Sequence, residues 1–242
     1  MERRTFLKAA ASLPLAGSLG SAGIARAAWE NGSQWKAYEV TTRVELTGMK
    51  QGAKVWLPLP LSVDTDYFRA GTRSWSGNAS SMQVAHDPEQ GTAMFYADFG
   101  SGNGVVELTT SIEMRDRAVD LSRAGKVQPL SEYDRRAYTR GTEFIPVDGI
   151  VRKTALEATR GATTDIEKAH AIHEWIVQNC FRDGKVRGCG LGDIKVLLET
   201  GNLGGKCADL NALFVGLARA VGVPARDVYG IRVAPSQWGY RS

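Results

Sequence analysis

From Trp35 to Met114 the hydrophobic positions recur every second residue. Val40, Thr42, Val44 and Leu46 alternate with Thr41, Arg43 and Glu45. Val106, Leu108, Thr110, Ile112 and Met114 alternate with Glu107, Thr109, Ser111 and Glu113. Side chains of a strand point to opposite faces in turn, so this spacing predicts strands with one buried and one wet face. Val55-Trp56-Leu57 and Met94-Phe95-Tyr96 are shorter strand candidates, and the proline of Trp56-Leu57-Pro58 ends the first of them. Ser76-Gly77-Asn78 and Gly100-Ser101-Gly102-Asn103-Gly104 read as turns. His86, in Ala85-His86-Asp87-Pro88, reads as a surface residue in a turn. Short strands with turn punctuation predict a β-sandwich-like module.

A polar stretch from Arg115 to Arg140 follows, and the period then changes to 3.6. Thr164-Asp165-Ile166-Glu167 is a capping-box pattern that opens a helix. Its expected buried stripe is Ile166, Ala169, His170, His173, Ile176, Val177 and Cys180. A short helix over about Asp193 to Thr200 ends at Gly201. A third starts near Cys207, with Leu210, Leu213, Phe214, Leu217 and Val221 as its stripe, and stops at Gly222 and Pro224. Val228 to Val233 reads as a strand. The pattern predicts an α+β chain: residues 28–125 a β-rich module, 126–150 a linker, 151–242 a second core.

The chain has 242 residues, 43% hydrophobic and 23% charged, a globular balance that argues against wholesale disorder or a coiled coil. The formal charge of +4 is concentrated at the amino terminus, where Arg3, Arg4, Lys8 and Arg26 face only Glu2. The remainder is near neutral, so composition gives no argument for a nucleic-acid partner. Met1-Glu2-Arg3-Arg4-Thr5-Phe6-Leu7-Lys8 leads into an uncharged Ala/Leu/Gly/Ser stretch from Ala9 to Ile24, then Ala25-Arg26-Ala27. Basic start, weakly apolar middle and small-residue exit are the parts of a secretory signal. Arg3-Arg4 with Phe6-Leu7-Lys8 resembles the twin-arginine export signal of bacteria, which implies residues 1–27 as a signal peptide, the export machinery as a partner and a periplasmic or otherwise exported protein. No stretch is apolar and long enough for a stable membrane span.

The stretch that carries chemistry is Gly201-Asn202-Leu203-Gly204-Gly205-Lys206-Cys207-Ala208-Asp209-Leu210-Asn211. A glycine-rich turn delivers a cysteine to the first turn of an amphipathic helix. Unpaired N–H groups, the helix dipole and Lys206 favour thiolate there, and thiolate is the nucleophile. The glycines allow a tight turn and close approach of a substrate amide. A backbone N–H at the helix start can serve an oxyanion formed when sulfur attacks a carbonyl. Asp209 reads as a first-turn acid that complements the dipole. A zinc site from Cys180, Cys189 and His173 lacks ligand pairs of the usual spacing, and no phosphate loop or dinucleotide fingerprint is present, so no metal or cofactor is expected.

Gly205-Lys206-Cys207 followed by the helix, then Gly222-Val223-Pro224-Ala225-Arg226 and a strand through Tyr229, resembles the nucleophile segment of the transglutaminase-like superfamily. Trp175-Ile176-Val177 and Gly190-Leu191-Gly192-Asp193 resemble the segments that precede it. The resemblance covers roughly Thr164 to Trp238. It implies a papain-like α+β core, Cys207 as the catalytic nucleophile, and a protein or peptide substrate attacked at an amide to give a thioester. Among bacterial members it implies a peptidase or amidase more often than a cross-linker. The family's histidine and aspartate follow the cysteine helix, whereas His86, His170 and His173 all precede Cys207. The expectation is therefore a chain truncated after the first strand beyond that helix, catalytically inactive and poorly soluble as it stands. A permuted triad through His170 or His173 is the alternative, set against their reading as core or interface residues.

Other readings stay open at this point. Cys207 alone is compatible with a small buried hydrophobe. In an oxidising compartment Cys180 and Cys189 are both candidate disulfide partners of Cys207, and a Cys180–Cys189 disulfide with Cys207 free is the preferred arrangement, although connectivity cannot be read from sequence. A non-catalytic binding or scaffold protein with a degenerate core is the alternative to an enzyme.

Overall fold

A computed structural model describes residues 34–87, 92–118, 128–231 and 233. The expected signal peptide, residues 1–27, lies outside the described residues. The chain divides into two compact units, Met1–Ala124 and Gly125–Ser242.

The first unit is built from six strands: β1 Lys36–Met49, β2 Ala53–Pro58, β3 Phe68–Gly77, β4 Ser81–Asp87, β5 Thr92–Phe99 and β6 Gly102–Met114. They form two antiparallel three-stranded sheets, β1-β6-β3 and β2-β5-β4. The period-two pattern sets the register. Val44 stands opposite Val106, Thr42 opposite Leu108 and Tyr38 opposite Ile112, so one face of the β1–β6 ladder is mostly apolar, with Thr42 and Thr110 as its polar positions. Leu57, Phe95, Ala97 and Phe99 from one sheet and Val106 and Leu108 from the other make a shared core. Apolar inner faces packed against each other are the sandwich arrangement that the alternation predicts.

Two strands were hidden from the pattern. β3 is exposed along nearly its whole length after Phe68, so it carries no alternation to read. Ser76 and Gly77, expected in a turn, are its last two residues, paired with Glu107 and Val106. His86 is exposed as expected but lies in β4, opposite Ala93, rather than in a turn. Backbone pairing to a neighbouring strand overrides the local turn signal there.

The second unit contains α1 Glu132–Thr139, α2 Gly149–Ala158, α3 Asp165–Asn179, β7 Phe181–Arg182, α4 Ile194–Thr200, β8 Gly204–Gly205 and α5 Cys207–Ala220. The stretch 126–150, read as a linker, holds α1, and its Ile145 and Val147 pack against the core. α1 buries no residue, which is why its sequence shows no apolar stripe.

α3 starts as its capping box predicts. Thr164 Oγ1 accepts from the Glu167 N–H, and the Glu167 carboxylate accepts from the N–H groups of Thr163 and Thr164. Its buried face differs from the expected stripe. Ile172 is fully buried, with Trp175 and Ile176 packed beside it, whereas Ile166 is 65% and Val177 60% exposed and both histidines are exposed. The apolar residues of this helix spread over more than one face, so periodicity alone mis-phased it.

α5 is buried on almost every side: Ala212, Leu213, Val215, Gly216, Leu217, Ala218 and Ala220 are all in the interior. Small residues let its neighbours approach closely. A side chain on Gly216 would collide with Ile194 of α4. Val151 and Ala155 of α2, Ile172 of α3 and Ile194 and Leu198 of α4 close the core around it. Gly201 ends α4 at φ 67°, and Gly222, at φ 81°, follows α5, both as the sequence predicts. The Val223 N–H then returns to the Ala218 carbonyl, and the Ala225 N–H reaches the Tyr138 carbonyl of α1. The described residues of the expected strand, 228–231, adopt no strand, and no described segment pairs with them. No helix among the described residues is long and apolar enough to cross a membrane.

Candidate active site

Cys207 is the first residue of α5. Its side chain is exposed while the helix behind it runs into the core. The buried-hydrophobe reading of this cysteine is thereby set aside. Two constraints hold the turn before it. β7 and β8 pair in parallel, Phe181 with Gly204 and Arg182 with Gly205, and the Asp183 N–H donates to the Gly205 carbonyl at 3.0 Å. The Lys206 N–H donates to Asp209 Oδ2 at 2.9 Å.

Gly204 and Gly205 are themselves buried. A side chain at Gly204 would strike the Phe181 ring, and one at Gly205 would strike Asp209. The glycines are thus needed for the packing of the tight turn that the sequence suggested.

Asp209 does more than complement a dipole. While Oδ2 caps Lys206, Oδ1 accepts from the Gly192 N–H at 2.9 Å. One carboxylate therefore joins the loop 187–192 to the start of α5. The Ala208 N–H donates to the Cys189 carbonyl at 2.9 Å, a second tie between the same segments. Of the backbone donors at the helix start, Lys206 and Ala208 are engaged, and the Cys207 N–H has no partner among the described residues.

These ties bring Cys189 to Cys207. All three cysteines are free, and Cys189 stands against Cys207 rather than against Cys180, the partner expected from sequence. The physical reason is placement. Cys180 caps the end of α3 and packs on the hydrophobic core, which pushes its thiol up. Cys189 sits on the loop that Asp209 and Ala208 hold against α5. Its thiol is pushed up first by its hydrogen bond to Cys207, then by the charge of that sulfur, while Lys206 and Arg182 act in the opposite direction. Tyr229 is close enough for both sulfurs, Asp209 and Asp227 to raise its phenol, although its own partial burial is the largest cause. Asp227 Oδ1 is a buried acceptor without a partner among the described residues, and burial pushes this carboxyl up against the pull of Arg219.

His170 and His173, the alternative bases offered by the sequence, are not buried as core residues. His86 is on β4 of the first unit, and His170 and His173 are exposed on α3, where His173 Nδ1 is 3.4 Å from Glu174 Oε1. No group of three or more metal-binding side chains occurs among the described residues. Sequence reasoning named Cys189 only as one of two candidate partners of Cys207, and missed Tyr229 and the bridging role of Asp209. Only Asp209 had a readable signal: an acid three residues after the N-cap can reach back to the cap N–H.

Residues 152–242 match the family model described as the transglutaminase-like superfamily. An uncharacterized protein of Haemophilus influenzae is 32% identical over 210 residues, which is 83% of this chain and 56% of the relative. The chain thus spans little more than half the length of that relative. A crystal structure of a candidate cysteine protease from Cytophaga hutchinsonii superposes with a TM-score of 0.56 at 14% identity, over 79% of this chain and 67% of the other. That likeness speaks to fold alone. With the glycine turn, the exposed sulfur at a helix start and the Gly222–Arg226 phrase all in place, residues 152–242 form a transglutaminase-like domain with a papain-like α+β core.

Proposed function

We propose that this protein is an exported cysteine enzyme acting on amide or peptide bonds through a thioester at Cys207, with hydrolysis favoured over amine cross-linking. The observation that carries the reading is Cys207 itself, an exposed thiol on the first residue of a buried helix, beside an unengaged N–H. In the first step Cys207 Sγ bonds to the carbonyl carbon and the π electrons move to oxygen. The Cys207 N–H supports the oxyanion. Collapse expels ammonia or an amine, which takes up a proton, and leaves a thioester on Cys207. Water then attacks the thioester and restores the thiol. Asp209 is a positioning residue in this scheme, because it fixes the turn that presents the sulfur. Export rests on Arg3-Arg4 and the segment to Ala27.

The test is an assay of the chain on peptide carboxamides, following amine release and incorporation of a labelled primary amine in parallel. Where turnover is present, which would set aside the inactivity expected from the order of Cys207 and the histidines, release should exceed incorporation, and both should vanish in Cys207→Ala at unchanged thermal stability. Turnover that survives Cys207→Ala overturns the reading. For export, changing Arg3 and Arg4 together to Lys should retain the protein in the cytoplasm, and unchanged extracytoplasmic recovery would count against the signal.

A further inference from the structure

We propose that Cys189 and Cys207 form a reversible intramolecular disulfide on meeting a small-molecule or protein disulfide, so that Cys189 is a resolving thiol for the candidate nucleophile. The pairing chemistry stands on the placement of residue 189 against the first turn of α5; its consequence for activity rests on the role proposed for Cys207.

The two sulfurs are brought together by structure rather than by chance exposure. The Cys189 carbonyl is held by the Ala208 N–H at 2.9 Å, so the backbone of residue 189 lies against the first turn of α5. Asp209 pins the same loop through Gly192, and Gly190, at φ 97°, gives the loop a turn that would bring any Cβ there into Asp209. Both thiols are exposed, so an external disulfide can reach them. The two thiols are near enough to act on each other electrostatically, and Lys206 and Arg182 set positive charge beside Cys189. Cys180 is half-buried at the end of α3 and takes no part.

The exchange balances in two steps. Cys207 thiolate attacks one sulfur of the disulfide RSSR, forms a Cys207–SR mixed disulfide and releases RS⁻. Cys189 gives up its proton to water and attacks the Cys207 sulfur, and the second RS⁻ leaves. The two protein thiols are oxidised, RSSR is reduced to two thiols, and the protein loses two hydrogens. Lys206 and Arg182 favour the second step by stabilising the Cys189 thiolate as it forms. The interaction with Cys207 protects Cys189 until that step, because it favours the thiol.

The experiment treats the folded full chain with oxidised glutathione and maps cysteines by mass spectrometry, with Cys189→Ser and Cys180→Ser in parallel. The wild type and Cys180→Ser should yield a Cys189–Cys207 linked peptide, a mass loss of two hydrogens, and full recovery with a reductant. Cys189→Ser should instead stop as a stable glutathione adduct on Cys207. A persistent Cys207 adduct in the wild type, or a linkage through Cys180, overturns the proposal. Because the readout is a mass, a failure here is separate from a failure of amide turnover. Where turnover is present, oxidation should abolish it in the wild type and reductant should restore it.

Discussion

Asp209 reaches back from the first turn of α5 and accepts the N–H of Gly192 at 2.9 Å, tying a loop seventeen residues upstream to the helix that carries the candidate nucleophile. The same carboxylate holds Lys206, so losing its charge loosens both sides of the site. Hydrogen bonds to a charged acceptor contribute about 1.5–3 kcal/mol each. Asp209→Asn is nearly isosteric and keeps at most one strong acceptor. It is expected to destabilise the fold by about 2 kcal/mol, read from denaturant midpoints, and to speed hydrogen exchange at the Gly192 and Lys206 amides. Unchanged exchange at both amides would remove Asp209 as the bridge.

Gly190 is the complement of that contact. Its φ of 97° is a region L side chains rarely adopt, and an added methyl would run into Asp209. Gly190→Ala should cost about 1–3 kcal/mol and, unlike most loop substitutions, should lower the rate of Cys189–Cys207 disulfide formation. A stability within about 0.5 kcal/mol of the wild type would show that the loop accommodates the methyl.

The sequence exposed much of this fold because the signals were local. The capping box at Thr164 and Glu167, the αL glycine at Gly201 and the period-two alternation of Val106 to Met114 each report on neighbours close in the chain. β3 and α1 were invisible for a shared reason: neither presents an alternating or helical apolar face, since β3 is exposed after Phe68 and α1 buries nothing. The stripe on α3 failed differently, because Ile166 and Val177 are apolar yet exposed. At the site, Cys207 was legible from its glycine turn and helix start. That Cys189 rather than Cys180 is its neighbour was not, because residue 189 is placed through Asp209–Gly192 and Ala208–Cys189 contacts that span seventeen to nineteen residues and have no fixed spacing.

Glu167 predicts a pH dependence with a definite sign. Hydrogen bonds from Thr164 and Thr163 hold its carboxyl at about 2, against 4.5 for the free group. A folded-state value below the unfolded one contributes stability that is complete above the unfolded value and is lost as pH falls through the folded one. The gap in melting temperature between wild type and Glu167→Gln should therefore be flat from about pH 7 to about pH 5 and close on approaching pH 2. Thr164→Ala, which removes the other half of the box, should cost about 1 kcal/mol at neutral pH. A gap that widens with acid would contradict the assignment.

Leu213 faces the centre of the second core with no exposed surface. Leu213→Ala should cost about 2–5 kcal/mol, whereas Val196→Ala on the exposed side of α4 should stay within about 0.5 kcal/mol. Equal effects at the two positions would contradict the burial of α5.

The central claim is that Cys207 is the acyl-accepting nucleophile, and an activated ester tests it most directly, because its phenolate leaving group departs without a general acid. The chain is mixed with a p-nitrophenyl acyl ester in near-equimolar amount, quenched, and mapped by mass spectrometry with and without hydroxylamine. The account predicts a saturating burst of nitrophenolate, one acyl group per chain on Cys207, its release by hydroxylamine as a thioester requires, and loss of the burst in Cys207→Ala. Acylation centred on Cys189 or Cys180, or a burst of equal size in Cys207→Ala, would contradict it.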